Sequence, residues 1–477
     1  MTIYNYPAPC TPIYEKPTSV EDCLPQARLM VKKEHGRTAM GPITNGDRIL
    51  IVTLPDQDKY VQQAVTQACE EAGADEVKFI YPQELTGEEV QTASVEEGWK
   101  EAKMMQEGIA SGSPETADLA SQQNVGKYLY EFLDNNPQYT KIFWDLGARA
   151  QKVSVLKEYG KKFKGNWLAN NWEEFSSKAW TFPDELTLEI ERKIIDVLGR
   201  ASAVRISDPE GTFLEYPLSS EEAKRWQMSA WVPGHLFLDP LQATSDECSR
   251  VPVAIPPVFR DLNGVMAGTS NHRGFFPRIE LSFEHGRLVD VKGGGSYGDA
   301  IEEMKEKYKD VHWPEYPGKG FFWYCDCALC TMVKSFRRTS DMFNSYWGFP
   351  NLGERNRAGI FHMGIGSRRG SKDHLAYANK HDAPLGHIHV HNYFATFEVE
   401  LEGSGCWHKV VDKGWLTAMS DPEIRAIASH YGDPDELLSY DWVPPLPGIN
   451  CEGDYMRDYA PNPLAYLRER LADGKTI

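Results

Sequence analysis

The sequence predicts an α/β N-terminal domain with an open parallel sheet, followed by a mostly antiparallel α+β domain. Apolar runs alternate with helix-patterned segments up to about residue 200. After Val204 the sequence pattern changes to short segments of alternating polarity, separated by residues that are typical of turns. A chain of 477 residues also exceeds the roughly 250–300 that one hydrophobic core holds. We therefore predict an arm over 1–45, an α/β domain over 46–200 and a β-rich domain over 201–477.

The first domain is predicted from a βαβ pattern. Residues 48–54, RILIVTL, form an apolar run typical of a buried parallel strand. Residues 58–73 carry apolar side chains at helical spacing and end at a glycine. Further strands are predicted over 76–82 and 141–147, with helices over 124–136 and 185–201. No phosphate-binding glycine fingerprint follows the first strand, so the sequence does not support a nucleotide site.

Charge and hydropathy disfavour several classes of partner and location. The net charge of −18, without a basic run, disfavours a nucleic-acid partner. No stretch approaches the roughly 18 apolar residues of a membrane helix. The N-terminus lacks the basic start and apolar core of a signal peptide. The odd set of nine cysteines, six of them scattered singly, indicates reduced thiols. We therefore expect a cytoplasmic protein without a membrane partner.

The histidines form the sharpest local pattern. Six of the thirteen fall between 362 and 391, and His387, His389 and His391 alternate in GHIHVHNY. On a strand, such residues project to the same face, where neighbouring imidazoles can converge on one ion. Three in a row are too widely spaced for all to converge. We predict that two of these histidines bind a metal and that the third is a nearby acid/base or hydrogen-bond partner, the alternative being a strand of surface or packed histidines.

Two residues could complete the metal site. His362 lies in the short apolar segment FHMGIGS, which can support a rigid ligand, although a structural core histidine is the alternative. Glu354, in NLGERNRAG, could supply a carboxylate, or it could pair with a neighbouring arginine.

Two further patterns have open interpretations. Cys325, Cys327 and Cys330 could bind zinc, but a closed site needs a fourth ligand, and an inert apolar cluster is equally consistent with their aromatic neighbours. The glycines over 293–295 could cradle an anion or form a turn.

Several segments resemble one known family. In chain order they are VRISDPEGTFLEYPL, DLNGVMAG, IELSFEHGRLVDVKG, AGIFHMGIGS and PLGHIHVHN. They are similar to motifs of the M29 (aminopeptidase T-like) metallopeptidase superfamily, which also contains 2,5-dihydroxypyridine dioxygenase, and this chain resembles a divergent member. The resemblance implies the two-domain fold, a divalent metal and a homodimer. It places His362 on the family's strand histidine, and His387 and His389 on its histidine-x-aspartate pair.

The departures from the family pattern bear on the reaction. The segment RVPVAIPP lacks the family's metal-binding glutamate, and Arg368 and Arg369 stand where its catalytic tyrosine is expected. A histidine-rich set with at most one carboxylate is the ligand set of mononuclear non-haem Fe(II) oxygenases. We therefore predict an Fe²⁺ dioxygenase that opens a hydroxylated aromatic or N-heteroaromatic ring with O₂. In this prediction His391 is the nearby acid/base, and Arg368 and Arg369 bind the substrate. The alternatives are a metallo-aminopeptidase or hydrolase using Zn²⁺ or Co²⁺, and a non-catalytic metal-binding paralogue.

Overall fold

The computed structural model describes most of the chain, including both predicted sheets. The described residues are 5–33, 40–89, 92–106, 125–144, 172–228, 235–237, 261–314, 316–339, 342–346, 350–367, 372–402 and 404–472. Within these ranges, none of the helices combines the length and apolar character that crossing a bilayer requires.

Fourteen α-helices lie within the described ranges. They are α1 (Leu24–Met30), α2 (Lys59–Glu71), α3 (Pro82–Thr86), α4 (Lys100–Gln106), α5 (Val125–Asn135), α6 (Trp172–Phe175), α7 (Lys178–Thr181), α8 (Asp184–Leu198), α9 (Ser220–Met228), α10 (Ser296–Lys307), α11 (Lys372–His381), α12 (Pro422–Ala428), α13 (Pro434–Leu437) and α14 (Pro463–Ala472). A π-helical turn covers Tyr455–Tyr459.

The first sheet has three parallel strands, as predicted. They are β1 (Arg48–Val52), β2 (Glu76–Ile80) and β3 (Lys141–Trp144), in the order β2-β1-β3. The central position of β1 buries four of its five residues, which explains its continuous apolar run. Between β1 and β2, α2 begins where the Asp58 carboxylate accepts a 2.8 Å hydrogen bond from the backbone N–H of Tyr60.

The second sheet is antiparallel and much larger, which confirms the predicted fold class. Its strands are β4 (Ala201–Ser207), β5 (Phe213–Pro217), β6 (His235–Phe237), β7 (Asn263–Ser270), β8 (Phe275–Glu284), β9 (Arg287–Gly293), β10 (Trp323–Cys330), β11 (Phe361–Gly366), β12 (His387–Asn392), β13 (Thr396–Leu401), β14 (Trp407–Asp412) and β15 (Trp415–Leu416). The order is β12-β11-β10-β9-β8-β7-β5-β4-β13-β14-β15, and β6 pairs with β10.

Two hydrophobic cores support these sheets. The smaller core packs α1 and α2 against the parallel sheet, through residues such as Ala27, Ile49 and Val65. The larger core lies on the antiparallel sheet, and it includes Met105 of α4 and Ile190 of α8. Helices that precede residue 201 are therefore built into the core of the second sheet. In particular, α4 lies against β12.

The cysteine and glycine patterns now have structural explanations. Cys325 and Cys327 lie on β10 within the larger hydrophobic core, and Cys330, also on β10, is buried. Among the described residues, no cysteine belongs to a group of side chains that could hold a metal. The glycines over 293–295 all have positive φ and turn the chain from β9 into α10, which supports the turn alternative.

A buried acidic pair lies at the turn between β4 and β5. Asp208 accepts hydrogen bonds from the backbone N–H of Glu210 at 2.9 Å and of Phe394 at 3.1 Å. Glu210 accepts from the hydroxyls of Tyr455 at 2.6 Å and Thr269 at 3.0 Å. Burial raises the pKa of Asp208 to about 6. Burial, and then the charge of Asp208, raise the pKa of Glu210 to about 8. The fold therefore favours the protonated forms of both groups.

This pair predicts a loss of stability as the pH rises. Because the folded-state pKa values exceed the ordinary carboxyl values, the stabilisation is complete below about pH 4 and is lost progressively up to about pH 8. The unfolding free energy of the wild type should decline between pH 5.5 and pH 8. In Glu210→Gln we expect this decline to be smaller by about 1–3 kcal/mol. Urea unfolding at both pH values measures the decline in each protein. Glu284→Gln, at an exposed strand end, should leave the wild-type decline unchanged, and an equally steep decline in Glu210→Gln would contradict the assignment.

Candidate metal centre

Strands β11 and β12 bring four histidines together. In their antiparallel register, His362 lies opposite His391, and Gly364 lies opposite His389. Alternation along β12 places the rings of His387 and His389 with centroids 4.7 Å apart, while the His362 and His389 centroids are 4.3 Å apart. All four side chains are buried. The strand pairing therefore gathers the histidines that the sequence pattern singled out.

Three of these imidazoles converge on one carboxylate oxygen. Oδ2 of Asp326 lies 3.0 Å from Nε2 of His362, 3.2 Å from Nε2 of His387 and 3.2 Å from Nε2 of His389. Asp326 lies on β10 between Cys325 and Cys327, directly after an irregularity in the pairing of β10 with β11. The result is a compact donor set of one carboxylate and three ring nitrogens.

Gly364 makes this convergence possible. It pairs with Asp326 on one side and His389 on the other. A Cβ atom at this position would lie 2.8 Å from Cβ of Asp326 and 3.0 Å from Cδ2 of His387. Real Cβ atoms do not tolerate the first distance. The absence of a side chain therefore lets the aspartate and the histidine approach each other across the sheet.

A carboxylate from α4 contacts Nδ1 of His389, the ring nitrogen that does not face Asp326. Glu101 Oε1 lies 2.8 Å from Nδ1 of His389, and Glu101 Oε2 accepts the backbone N–H of His389 at 3.0 Å. The hydroxyl of Tyr297, in the first turn of α10, lies 2.8 Å from the His389 carbonyl oxygen and 3.2 Å from Glu101 Oε2. The contact with Glu101 places a proton on Nδ1 and directs Nε2 toward Asp326.

His391 has a matching carboxylate partner in Glu354. Nδ1 of His391 lies 2.8 Å from Glu354 Oε1, which also accepts from the hydroxyl of Ser270 at 2.8 Å. Glu354 Oε2 accepts from Arg337 at 2.6 Å and from Tyr393 at 2.7 Å. Each oxygen of Glu354 thus has two partners, four in all. The structure places it behind His391 and not within the group of side chains that converges on Asp326.

A fifth histidine and an arginine close the other side of the cluster. His272 lies in the turn between β7 and β8, with its ring centroid 3.9 Å from that of His389 and 4.9 Å from that of His391. Nη1 of Arg355 lies 3.2 Å from Nε2 of His272 and 3.4 Å from Nδ1 of His362.

The electrostatics of the cluster favour a cation beside Asp326. Burial alone would raise the pKa of Asp326, but His362 and His387 bring it well below its usual range. Burial opposes the charged form of His389, yet Glu101 and Asp326 raise its pKa above the ordinary value. In contrast, burial lowers the pKa of His362 and of His391. A positive charge is therefore favoured where Nε2 of His389 faces Asp326.

The donor set fits a divalent metal ion. Nδ1 of His389 is held by Glu101, so the positive charge favoured at Nε2 of the same ring faces Oδ2 of Asp326. A divalent cation bound by both atoms can take the place of a proton there. Two neighbouring donors bound at about 2.0–2.2 Å to one ion lie about 3.0 Å apart in octahedral geometry and about 3.4 Å apart in tetrahedral geometry. The observed separations of 3.0–3.2 Å lie near the octahedral value. In addition, Nε2 of His391 is buried without a hydrogen-bond partner among the described residues.

The predicted site residues have different placements. His362, His387 and His389 converge, and His391 lies beside them. Arg368 and Arg369 fall outside the described residues, so their assigned role stays a prediction. Asp326, Glu101 and His272 were not among the predicted site residues. An isolated aspartate inside an apolar strand is a signal that could have revealed Asp326, because a buried charge needs a partner.

Comparisons with known proteins find only distant likeness. No protein-family model matches the sequence, and no curated protein matches it. Among solved structures, 2,5-dihydroxypyridine dioxygenase from Pseudomonas putida KT2440 is similar with 11% identity, 84% of this chain and 98% of that chain covered, and a TM-score of 0.42. AmpT from Thermus thermophilus is similar with 14% identity, coverage of 83% and 99%, and a TM-score of 0.40.

Proposed function

We propose that this protein is a metal-dependent enzyme, a mononuclear non-haem Fe²⁺ dioxygenase that opens the ring of a small hydroxylated aromatic or N-heteroaromatic compound. The observation that carries the proposal is the convergence of three imidazole Nε2 atoms on Asp326 Oδ2, within 3.2 Å. Asp326, His362, His387 and His389 would hold the ion. Histidines with a single carboxylate are the ligand set of non-haem Fe²⁺ oxygenases.

The protein's own groups have distinct tasks in this proposal. A bound Fe²⁺ would supply the redox chemistry and the binding of O₂. Glu101 holds Nδ1 of His389, which keeps Nε2 of that ring available as a donor. Glu354 holds Nδ1 of His391 in the same way, so that Nε2 of His391 can accept a proton from a substrate hydroxyl. The burial of these groups excludes bulk water from the reacting centre.

Other features of the proposal rest on the sequence. The partners we propose are a small aromatic substrate and O₂, with Arg368 and Arg369 binding an anionic group of the substrate. A homodimer, implied by the family resemblance, also stays a prediction.

A metallohydrolase is the second candidate, and one observation favours it. The cluster contains two overlapping groups of possible ligands that share His389: Asp326 with His387, and His272 with His362. Two ions close together activate water in many hydrolases. Zn²⁺ or Co²⁺ would then be the metal.

Metal content and oxygen uptake together distinguish these functions. Protein purified without oxygen should contain about one iron per chain and consume O₂ when hydroxylated aromatics are added. Two zinc or cobalt ions per chain, with peptide cleavage and no oxygen uptake, would contradict the dioxygenase proposal and support the hydrolase. Metal binding with no turnover that depends on His387 or His389 would instead indicate a non-catalytic paralogue.

Substitution of His389 tests the site directly. His389→Ala removes a donor that is in contact with Asp326 and Glu101, so the metal content after dialysis should fall at least about tenfold. His408→Ala, on the exposed part of β14, is the matched control and should retain the wild-type content. Elemental analysis of both variants, with circular dichroism to verify folding, makes the comparison. Equal loading of the two variants would rule out the proposed centre.

A further inference from the structure

One arginine contacts the metal centre and also reaches solvent. Arg355 belongs to the short helical turn Leu352–Asn356, just before β11. Its Nη1 atom lies 3.2 Å from Nε2 of His272 and 3.4 Å from Nδ1 of His362. Both rings are buried, whereas Arg355 is partly exposed. A cationic group thus contacts both a proposed metal ligand and solvent, so a molecule that approaches the centre can meet it.

Metal binding by His362 changes what Arg355 faces. An imidazole that gives the lone pair of Nε2 to a metal carries its proton on Nδ1. The N–H of Arg355 that is directed at Nδ1 of His362 then faces another N–H. The Nδ1 atoms of His389 and His391, in contrast, face carboxylates. At His362 two N–H donors are therefore directed at each other, and an oxygen acceptor placed beside both would bind both.

The charges around the centre favour an anion as the source of that oxygen. The charged side chains described here are three carboxylates and two guanidinium groups, those of Glu101, Asp326, Glu354, Arg337 and Arg355. With a divalent ion and neutral imidazoles, these groups carry one positive charge in excess. An uncompensated charge at a buried centre is costly. A singly charged carboxylate balances it, whereas a doubly charged phosphate exceeds it.

A carboxylate also suits the position of Arg355. Guanidinium N–H groups bind carboxylate oxygens strongly and with defined geometry. The ring of His362 separates Nη1 of Arg355 from Nε2 of His362, the atom that would bind the ion. An aromatic ring with its substituents spans a similar distance. A planar substrate can therefore present a hydroxyl to the centre and a carboxylate to Arg355.

We propose that Arg355 binds the carboxylate of a hydroxylated aromatic or N-heteroaromatic acid, with one carboxylate oxygen shared between Arg355 and Nδ1 of His362. This inference rests on the proposed function. It narrows the substrate class from hydroxylated rings in general to hydroxylated ring acids. It also adds Arg355 as a substrate-binding residue to Arg368 and Arg369.

Binding of matched acids and amides tests the proposal without turnover. The probes are the hydroxybenzoate and hydroxypicolinate isomers, each compared with its carboxamide, which has a similar shape without the charge. Isothermal titration calorimetry of full-length protein loaded with Fe²⁺, in the absence of O₂, measures each affinity. In the wild type, the acid that binds best should bind about 10- to 100-fold more tightly than its amide.

Variants of Arg355 should change this preference for the acid and not the metal content. In Arg355→Gln, the ratio of acid to amide affinity should fall to about 1–3, because the charge-assisted hydrogen bond is lost. Arg355→Lys keeps a positive charge and should retain part of the preference. Arg192→Gln, at an exposed position of α8, is the matched control and should keep the wild-type ratio. A purely structural role of Arg355 would not alter the ratio.

Each contrary outcome has a defined meaning. A wild-type ratio in Arg355→Gln, or in Arg355→Met if Arg355→Gln does not fold, would overturn the role of Arg355. Loss of the preference in Arg368→Gln with Arg369→Gln, but not in Arg355→Gln, would also overturn it. So would wild-type protein that binds none of the acids, or that consumes O₂ only with uncharged hydroxylated rings, although the metal enzyme would stand. Wild-type protein that binds no Fe²⁺ would instead overturn the proposed function.

Discussion

Replacing Asp326 with asparagine should weaken metal binding at least about 100-fold, which corresponds to about 2.7 kcal/mol. The substitution keeps the size of the side chain but removes the negative charge on which three imidazole nitrogens converge. An amide oxygen is a weaker donor for a divalent ion, and its NH₂ group would face the same nitrogens. The effect should be large because burial leaves little solvent screening around this carboxylate.

Competition against a chromophoric chelator measures the affinity of Asp326→Asn. Asp290→Asn is the matched control, since Asp290 also lies on a strand of the large sheet but is half exposed beside Lys292. The control should bind metal like the wild type. Unchanged affinity in Asp326→Asn, with the fold intact by circular dichroism, would show that the ion is not bound at this carboxylate.

Gly364→Ala should damage the same centre through packing. The new methyl group would meet Asp326 Cβ at 2.8 Å, Cδ2 of His387 at 3.0 Å and the Ile388 carbonyl oxygen at 3.2 Å. Neither strand can retreat easily, because both are paired in the sheet. We expect the unfolding free energy of metal-free protein to fall by about 1–3 kcal/mol, as for other overpacked interiors. Separating Asp326 from His387 should also weaken metal binding at least about tenfold.

Chemical unfolding measures the stability of Gly364→Ala, and the chelator competition measures its metal affinity. Gly318→Ala is the control, since a Cβ atom at Gly318 would meet only the Trp323 ring, at 3.9 Å. It should change neither stability nor affinity. A Gly364→Ala protein with wild-type stability and affinity would contradict the close approach of β10, β11 and β12 on which the centre depends.

Local pattern was sufficient for the elements and for part of the site. The apolar run of β1 and the helical spacing of α2 predicted a βαβ unit because the periods of side-chain direction differ between strands and helices. The alternation of His387, His389 and His391 predicted a shared face for the same reason. His362 was selected because a short apolar strand can support a rigid ligand, and because the family resemblance places it on a strand histidine. These inferences need only neighbours in sequence.

Long-range pairing decided the rest. Asp326 joins the histidines only because β10 pairs with β11, and no local period reveals which strands are neighbours in a sheet. Glu101, in the first turn of α4, is one of several acidic residues in this part of the sequence. It contacts His389, 288 residues later, because the larger core packs α4 onto β12. The sequence by itself determined which histidines share a face. Only the tertiary structure decided which carboxylate they converge on, because such proximity follows from the packing of sheets and helices and not from spacing along the chain.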